Sequence, residues 1–148
     1  MIHSYFEDIS VGDRNTTPAR TITETDVVNF ASLSGDWFPL HTDASYAEST
    51  FYGERIAHGM LVLSVVTGLI TLTPGAVQAF HGIENLRFSR PTFIGDTIHA
   101  ETEVTDARDR GEKGLVTSAL TVKNQRGETV VTADFRWLVA RGKTAPDA

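Results

Sequence analysis

Between Met60 and Leu72 the chain places apolar side chains on nearly every face a helix would have, with Ser64, Thr67, Gly68 and Thr71 as interruptions. A helix that is apolar all round must be surrounded by protein, and its valines lower helix propensity only slightly. Thr73, Pro74 and Gly75 stop it. The run is shorter than the roughly 20 residues a membrane span needs. Any fold this chain adopts must therefore enclose one helix, and no membrane partner is expected.

The residues that follow can supply the enclosure. Ala79–Phe88 has strand-like apolar spacing around Gly82, Pro91–Gly95 is a break, and Asp96–Val104 alternates through Ile98, Ala100, Thr102 and Val104. Leu115–Lys123 and Thr129–Ala140 are the clearest strands, joined by Asn124-Gln125-Arg126-Gly127. Val131, Ala133, Phe135, Trp137 and Val139 fall on one side of the last strand at a period of two. Periodicity thus gives an α+β domain, one buried helix followed by an antiparallel meander. A chain of 148 residues fits a single domain. We assign residues 1–140 to it and 141–148, which lack apolar pattern, to a loose tail.

Ahead of the buried helix, YFEDISVGD is a lead-in ending in a Gly12-Asp13 turn. Thr16–Ile22 is expected to form a short strand, with Pro18 confining it to a sheet edge. Thr23 opens a helix, because Thr23-x-x-Asp26 resembles a capping box with Asp at its third position. Val27, Phe30, Ala31 and Ser34 share one face of it, and Gly35 is a natural residue to end it. Asp43–Ser49 reads as one or two helical turns capped by Asp43, with Tyr46 and Ala47 inward, and Phe51–Arg55 as a loop.

Between those helices lies GDWFPLHTD, Gly35–Asp43. Pro39 fixes its own φ, donates no hydrogen bond and pushes Phe38 towards an extended conformation, so this stretch is expected to be non-helical. A stiffened loop can aim Asp36 and His41 into one pocket, and that pair suits proton transfer: a carboxylate is a base at neutral pH and imidazole titrates near it. Taken alone, the two residues read as a turn carboxylate and a surface histidine.

Composition narrows the partners. There is no cysteine, so no disulfide, thiolate metal site or cysteine nucleophile is available. A net charge of −6 carries no basic footprint, which argues against nucleic acid. An anionic ligand such as coenzyme A remains compatible, since a few well-placed Lys or Arg residues set a local field. MIHSYFEDIS has neither a basic nor an apolar region of the secretory kind, so the cytoplasm is the expected location.

A second stretch, RIAHGMLVLSVVTG (Arg55–Gly68), changes the reading of the first. Together they resemble the MaoC-like family of hot-dog-fold hydratases and dehydratases, the (R)-specific enoyl-CoA hydratases among them. That family carries a Gly-Asp-x-Asn-Pro-Leu-His loop followed by an Ile-Ala-His-Gly-Met helix start. Gly35, Asp36, Pro39, Leu40 and His41 match the loop, and the likeness extends over nearly all the chain, including FIGDTIHAETEV. The resemblance implies a curved antiparallel sheet wrapped around a central hydrophobic helix, and a homodimer or higher even oligomer whose sheets align.

It also implies a reaction, the reversible addition of water to a trans-2-enoyl thioester of coenzyme A or acyl carrier protein, giving the (R)-3-hydroxyacyl thioester. Asp36 would draw a proton from the water, and His41 would hold it and deliver a proton to the α carbon. The thioester is substrate, and no cofactor or metal is expected. Gly59 matches the family's glycine at a helix start, where unpaired N–H groups could serve a developing oxyanion; alternatively it only permits close packing. Thr67 matches a small hydroxyl residue near the catalytic pair, or else bonds the preceding turn of its own helix. His58 is taken as a neighbour of the site, and His81 and His99 as ordinary polar positions. Phe38 departs from the family's asparagine and either walls the acyl pocket or packs the loop onto the core. Two further functions stay open at this stage: a hot-dog acyl-CoA thioesterase, and a non-catalytic acyl-thioester-binding subunit.

Overall fold

The computed structural model describes residues 4–142. A 3-10 turn at Phe6–Asp8 leads into two short strands, β1 (Arg14–Thr16) and β2 (Arg20–Thr21). Four helices follow, α1 (Glu24–Ser34), α2 (Pro39–Thr42), α3 (Ala44–Glu48) and α4 (Gly59–Leu69). Four long strands then complete the chain: β3 (Val77–Phe88), β4 (Thr97–Asp109), β5 (Lys113–Lys123) and β6 (Thr129–Ala140). The sheet runs in the order β1-β4-β5-β6-β3, with β2 also on β4, and every pairing is antiparallel.

The single strand expected over Thr16–Ile22 is instead two pieces on one partner strand. Pro18 has no N–H to give the ladder, so the bonding there passes to Thr17. Its amide donates to Ala100 O at 2.9 Å, and its hydroxyl accepts from the Ala100 amide at 2.9 Å. Register breaks between Val104 and Asp106, and at three points along β3, add bulges that bend and twist the sheet. That curvature lets the sheet wrap α4. Val62 and Val66 of the helix belong to one core with Ile98, Val116, Leu120, Val131 and Phe135 from β4, β5 and β6.

The helix is less enclosed than its composition suggests. It ends at Leu69 rather than Leu72, and Met60, Ser64 and Gly68 are exposed. These three stand four residues apart, so they form one open stripe along an otherwise buried rod.

α1 matches its sequence signals closely. The Thr23 hydroxyl accepts from the Asp26 amide at 3.2 Å, while Asp26 Oδ2 accepts from the Thr23 amide at 2.8 Å. Gly35 closes the helix at φ 76°, a left-handed value that favours glycine. In α3, Asp43 accepts from the Tyr46 amide as the expected cap, and Ala47 is buried. Tyr46, in contrast to expectation, is 42% exposed, because its ring lies against Phe38 outside the core.

The tail does not begin at Arg141. That guanidinium is paired with Glu7 and Asp109 and donates to Gly111 O at 2.6 Å, while the Gly142 amide donates to Glu7 at 2.9 Å. The rest of the expected tail, 143–148, lies outside the described residues.

Candidate active site

Gly35 turns the chain out of α1, and Asp36 stands on the exposed segment that follows. Its amide donates to Ser34 Oγ at 3.1 Å, and its Oδ1 accepts from the Phe38 amide at 3.2 Å, an Asx turn that fixes the carboxylate relative to the loop. His41 does not lie in an irregular stretch as expected. Pro39 occupies the first position of α2, where a missing N–H costs nothing and a fixed φ favours the helix. His41 therefore projects from a helical turn, with its amide bonded to Phe38 O at 2.9 Å.

His41 Nδ1 lies 2.7 Å from Ile56 O. A carbonyl only accepts, so Nδ1 carries the proton and neutral His41 presents the lone pair of Nε2. Burial lowers the pKa of His41 below its ordinary 6.5, and the neighbouring His58 adds to this. The Ile56 bond and the Asp36 carboxylate act the other way without reversing it. At neutral pH the imidazole is thus a base and acceptor.

His58, 2% exposed, stacks on His41 with ring centroids 3.9 Å apart and planes at 29°. Its Nε2–H donates to the main-chain carbonyl of Asp36 at 2.9 Å. Asp36, His41 and His58 thereby bring donor atoms within 4.8 Å of one another, the only such group of three among the described residues. In composition the trio could hold a metal.

A cavity of about 280 Å3 opens beside this cluster, lined by His41, Tyr52, Ile56, Ala57, Gly59, Met60, Phe88 and Arg90 among others. Gly59 is the first residue of α4, where the amides have no intrahelical acceptor. A Cβ built there would lie 2.8 Å from Cε1 of Phe88, so the aromatic ring rests on bare backbone. Close packing and amides without an intrahelical acceptor coexist at this glycine.

The remaining expected residues are placed less centrally. Phe38 is 51% exposed, edge-on to His41 and to Tyr46 with centroids 6.1 Å apart in each case; it is neither in the core nor in the cavity lining. Thr67 donates to Ser64 O at 2.7 Å, and its place eight residues past Gly59 puts it about 12 Å along the axis. His81 stands in β3, and His99 lies 3.7 Å from Glu101. Ile56 and Phe88 carry no sequence signal of their part in the site. A main-chain carbonyl leaves no residue signature, whereas the bulky Phe88 facing Gly59 shows only once β3 is docked.

A neutral imidazole and a helix start lining one cavity, with the Asp36 carboxylate beside the imidazole but outside that lining, on a curved sheet enclosing a helix, define a class of protein. Residues 9–126 match the family described as the MaoC like domain, and the chain belongs to it. Over 134 residues it is 38% identical to Protein MaoC of Klebsiella aerogenes, covering 90% of this chain but only 40% of that one. It is also 38% identical over 146 residues to an (R)-specific enoyl-CoA hydratase of Rhodospirillum rubrum, covering 96% of each. A solved structure described as a monoamine oxidase regulatory protein from Archaeoglobus fulgidus matches with a TM-score of 0.89 at 46% identity, over 95% of this chain and 96% of the other. A Mycobacterium tuberculosis protein with a double hot-dog fold matches 99% of this chain and 47% of its own, with a TM-score of 0.85 at 24% identity, a likeness of fold alone. The architecture here is the hot-dog fold.

Proposed function

We propose that this protein is a hydro-lyase that reversibly hydrates a trans-2-enoyl thioester, of coenzyme A or acyl carrier protein, to the (R)-3-hydroxyacyl thioester. The observation that carries the proposal is the state of His41: Nδ1–H committed to Ile56, Nε2 presenting a lone pair, and the Asp36 carboxylate close by. One water held between two acceptors gives a hydrogen to each and aims its oxygen lone pair at the β carbon. As the C–O bond forms, the π electrons move towards the thioester carbonyl. The amides at the start of α4 are suited to that developing oxyanion. One proton passes from the water to the Asp36/His41 pair, and one returns from the pair to the α carbon, so the site ends as it began. Dehydration is the same path reversed.

The full-length likeness to the R. rubrum hydratase supports this reaction over thioester hydrolysis. Arg90, exposed on the cavity lining and 3.9 Å from Glu128, offers positive charge for an anionic carrier on an otherwise acidic protein. Water, acid and base suffice, so no cofactor or metal takes part.

An ultraviolet assay on enoyl-CoA substrates of graded length and branching tests the proposal. The conjugated double bond should disappear without added metal or nucleotide, and chiral analysis should find the (R) product. Release of free thiol, an (S) product, or activity abolished by a chelator would overturn it.

A further inference from the structure

We propose that His58 is a positioning residue that fixes both halves of the catalytic pair, an inference resting on the hydratase reading above. One side chain reaches each of them: Nε2–H holds the main-chain carbonyl of Asp36 at 2.9 Å, and the ring lies against His41 at 3.9 Å. Phe30 backs the imidazole from α1, with centroids 5.0 Å apart, so the ring is gripped between the two helices that flank the loop.

Stability does not account for a histidine here. His58 is the N-cap of α4, a place where Ser, Thr, Asp or Asn would bond the first amides, yet its side chain makes no capping bond. Its Nδ1 is buried without a hydrogen-bond partner among the described residues, which also costs folding free energy. A capping residue or a plain aromatic would serve the helix or the core better. What the imidazole does make is the link to Asp36, across 22 residues of sequence.

That link sets the loop in register with the helix whose first residues, Gly59 and Met60, line the cavity. Asp36 is otherwise held only by local bonds, to Ser34 and Phe38, on an exposed segment. Local bonds fix the shape of a turn; of the bonds Asp36 itself makes, the one to His58 reaches the start of α4, while Ile56 ties down the His41 half of the loop. Small displacements of a reacting group cost rate steeply while leaving substrate binding nearly untouched.

Two variants separate the donor from the ring. His58→Phe keeps an aromatic surface against His41 but has nothing to donate, and His58→Gln keeps a donor near the position of Nε2. We expect His58→Phe to lower kcat at least about tenfold with KM changed by less than about twofold. Amide hydrogen exchange at Phe38 and His41 should quicken about tenfold while that of β5 stays unchanged. His58→Gln should recover part of both losses. Wild-type kcat and loop exchange in His58→Phe would overturn the proposal. So would equal losses in both variants with exchange raised throughout the protein, the mark of a merely structural residue. If the wild-type protein hydrates no enoyl thioester, the reaction assignment fails, and the loop-exchange comparison alone decides for or against His58.

Discussion

His41 and Asp36 differ in what holds them, and the difference shapes what their loss should do. The imidazole is tied to Ile56 and stacked on His58, while the carboxylate stands on an exposed turn. Asp36→Asn and His41→Gln should each lower kcat at least about a hundredfold, the scale of a positioned acid or base. Near wild-type turnover in either variant would remove that residue from the mechanism. Because folding holds the His41 pKa below 6.5, the unfolded chain takes up the proton first as pH falls. Its contribution to stability is complete above 6.5 and is lost as pH drops through the folded value. Urea melts between pH 5 and 7 should therefore show a slope that His41→Gln reduces, and the acid limb of kcat/KM should lie below 6.5. Phe38 makes a different prediction. With half its surface exposed and only edge contacts to His41 and Tyr46, its replacement by Asn should cost no more than about 1.5 kcal/mol, far from the cost of a core deletion. A ring outside the cavity lining should also leave the ratio of kcat/KM between straight and branched enoyl substrates unchanged. An unchanged ratio with a large drop in urea midpoint would make Phe38 a packing residue.

At the level of elements, the start of α4 is where packing and chemistry meet. Gly59→Ala would place a methyl 2.8 Å from the Phe88 ring, and that ring is 47% exposed and able to swing away. The variant should fold, with activity down more than stability, because the displaced ring lines the same cavity. Retained kcat on the best substrate would show that the cavity tolerates the shift. The elements that carry the site differ in how legible they were. α1 declared itself through Thr23, Asp26 and Gly35, whose side chains and φ act within a few residues of where they stand. α2 departs from the sequence expectation because Pro39, a breaker inside a helix, is a starter at a first helical position. The pair Asp36/His41 was legible as a pattern, but its geometry was not. The bonds that orient it come from Ile56 and His58, which lie 15 and 22 residues away and meet the loop only after folding. The open stripe of α4 escaped for a related reason: composition shows that a helix is apolar, and only packing shows which of its faces is covered.

Taken whole, the molecule leaves a long strand at its margin. Among the described residues β3 has a hydrogen-bonded strand neighbour in β6 alone, so a 12-residue edge faces outward, with Phe80 and Phe88 partly exposed along it. Unprotected edges of that length invite pairing, and an isologous contact between two such strands closes as a two-fold dimer. Light scattering at assay concentration should report a dimer or a multiple of it, and an active monomer would contradict this. Just past the end of β6 the structure behaves quite differently. There Arg141 joins Glu7 and Asp109, and the Gly142 amide reaches Glu7, so the first and last described turns of the chain are held side by side. Topologically the domain is close to a ring. A short linker from Gly142 back to Tyr5 would span a gap already closed by ion pairs, and the backbone could then be reopened at the exposed Thr71–Leu72 connection between α4 and β3. The order in which the polypeptide is read is thus separable from the object it builds.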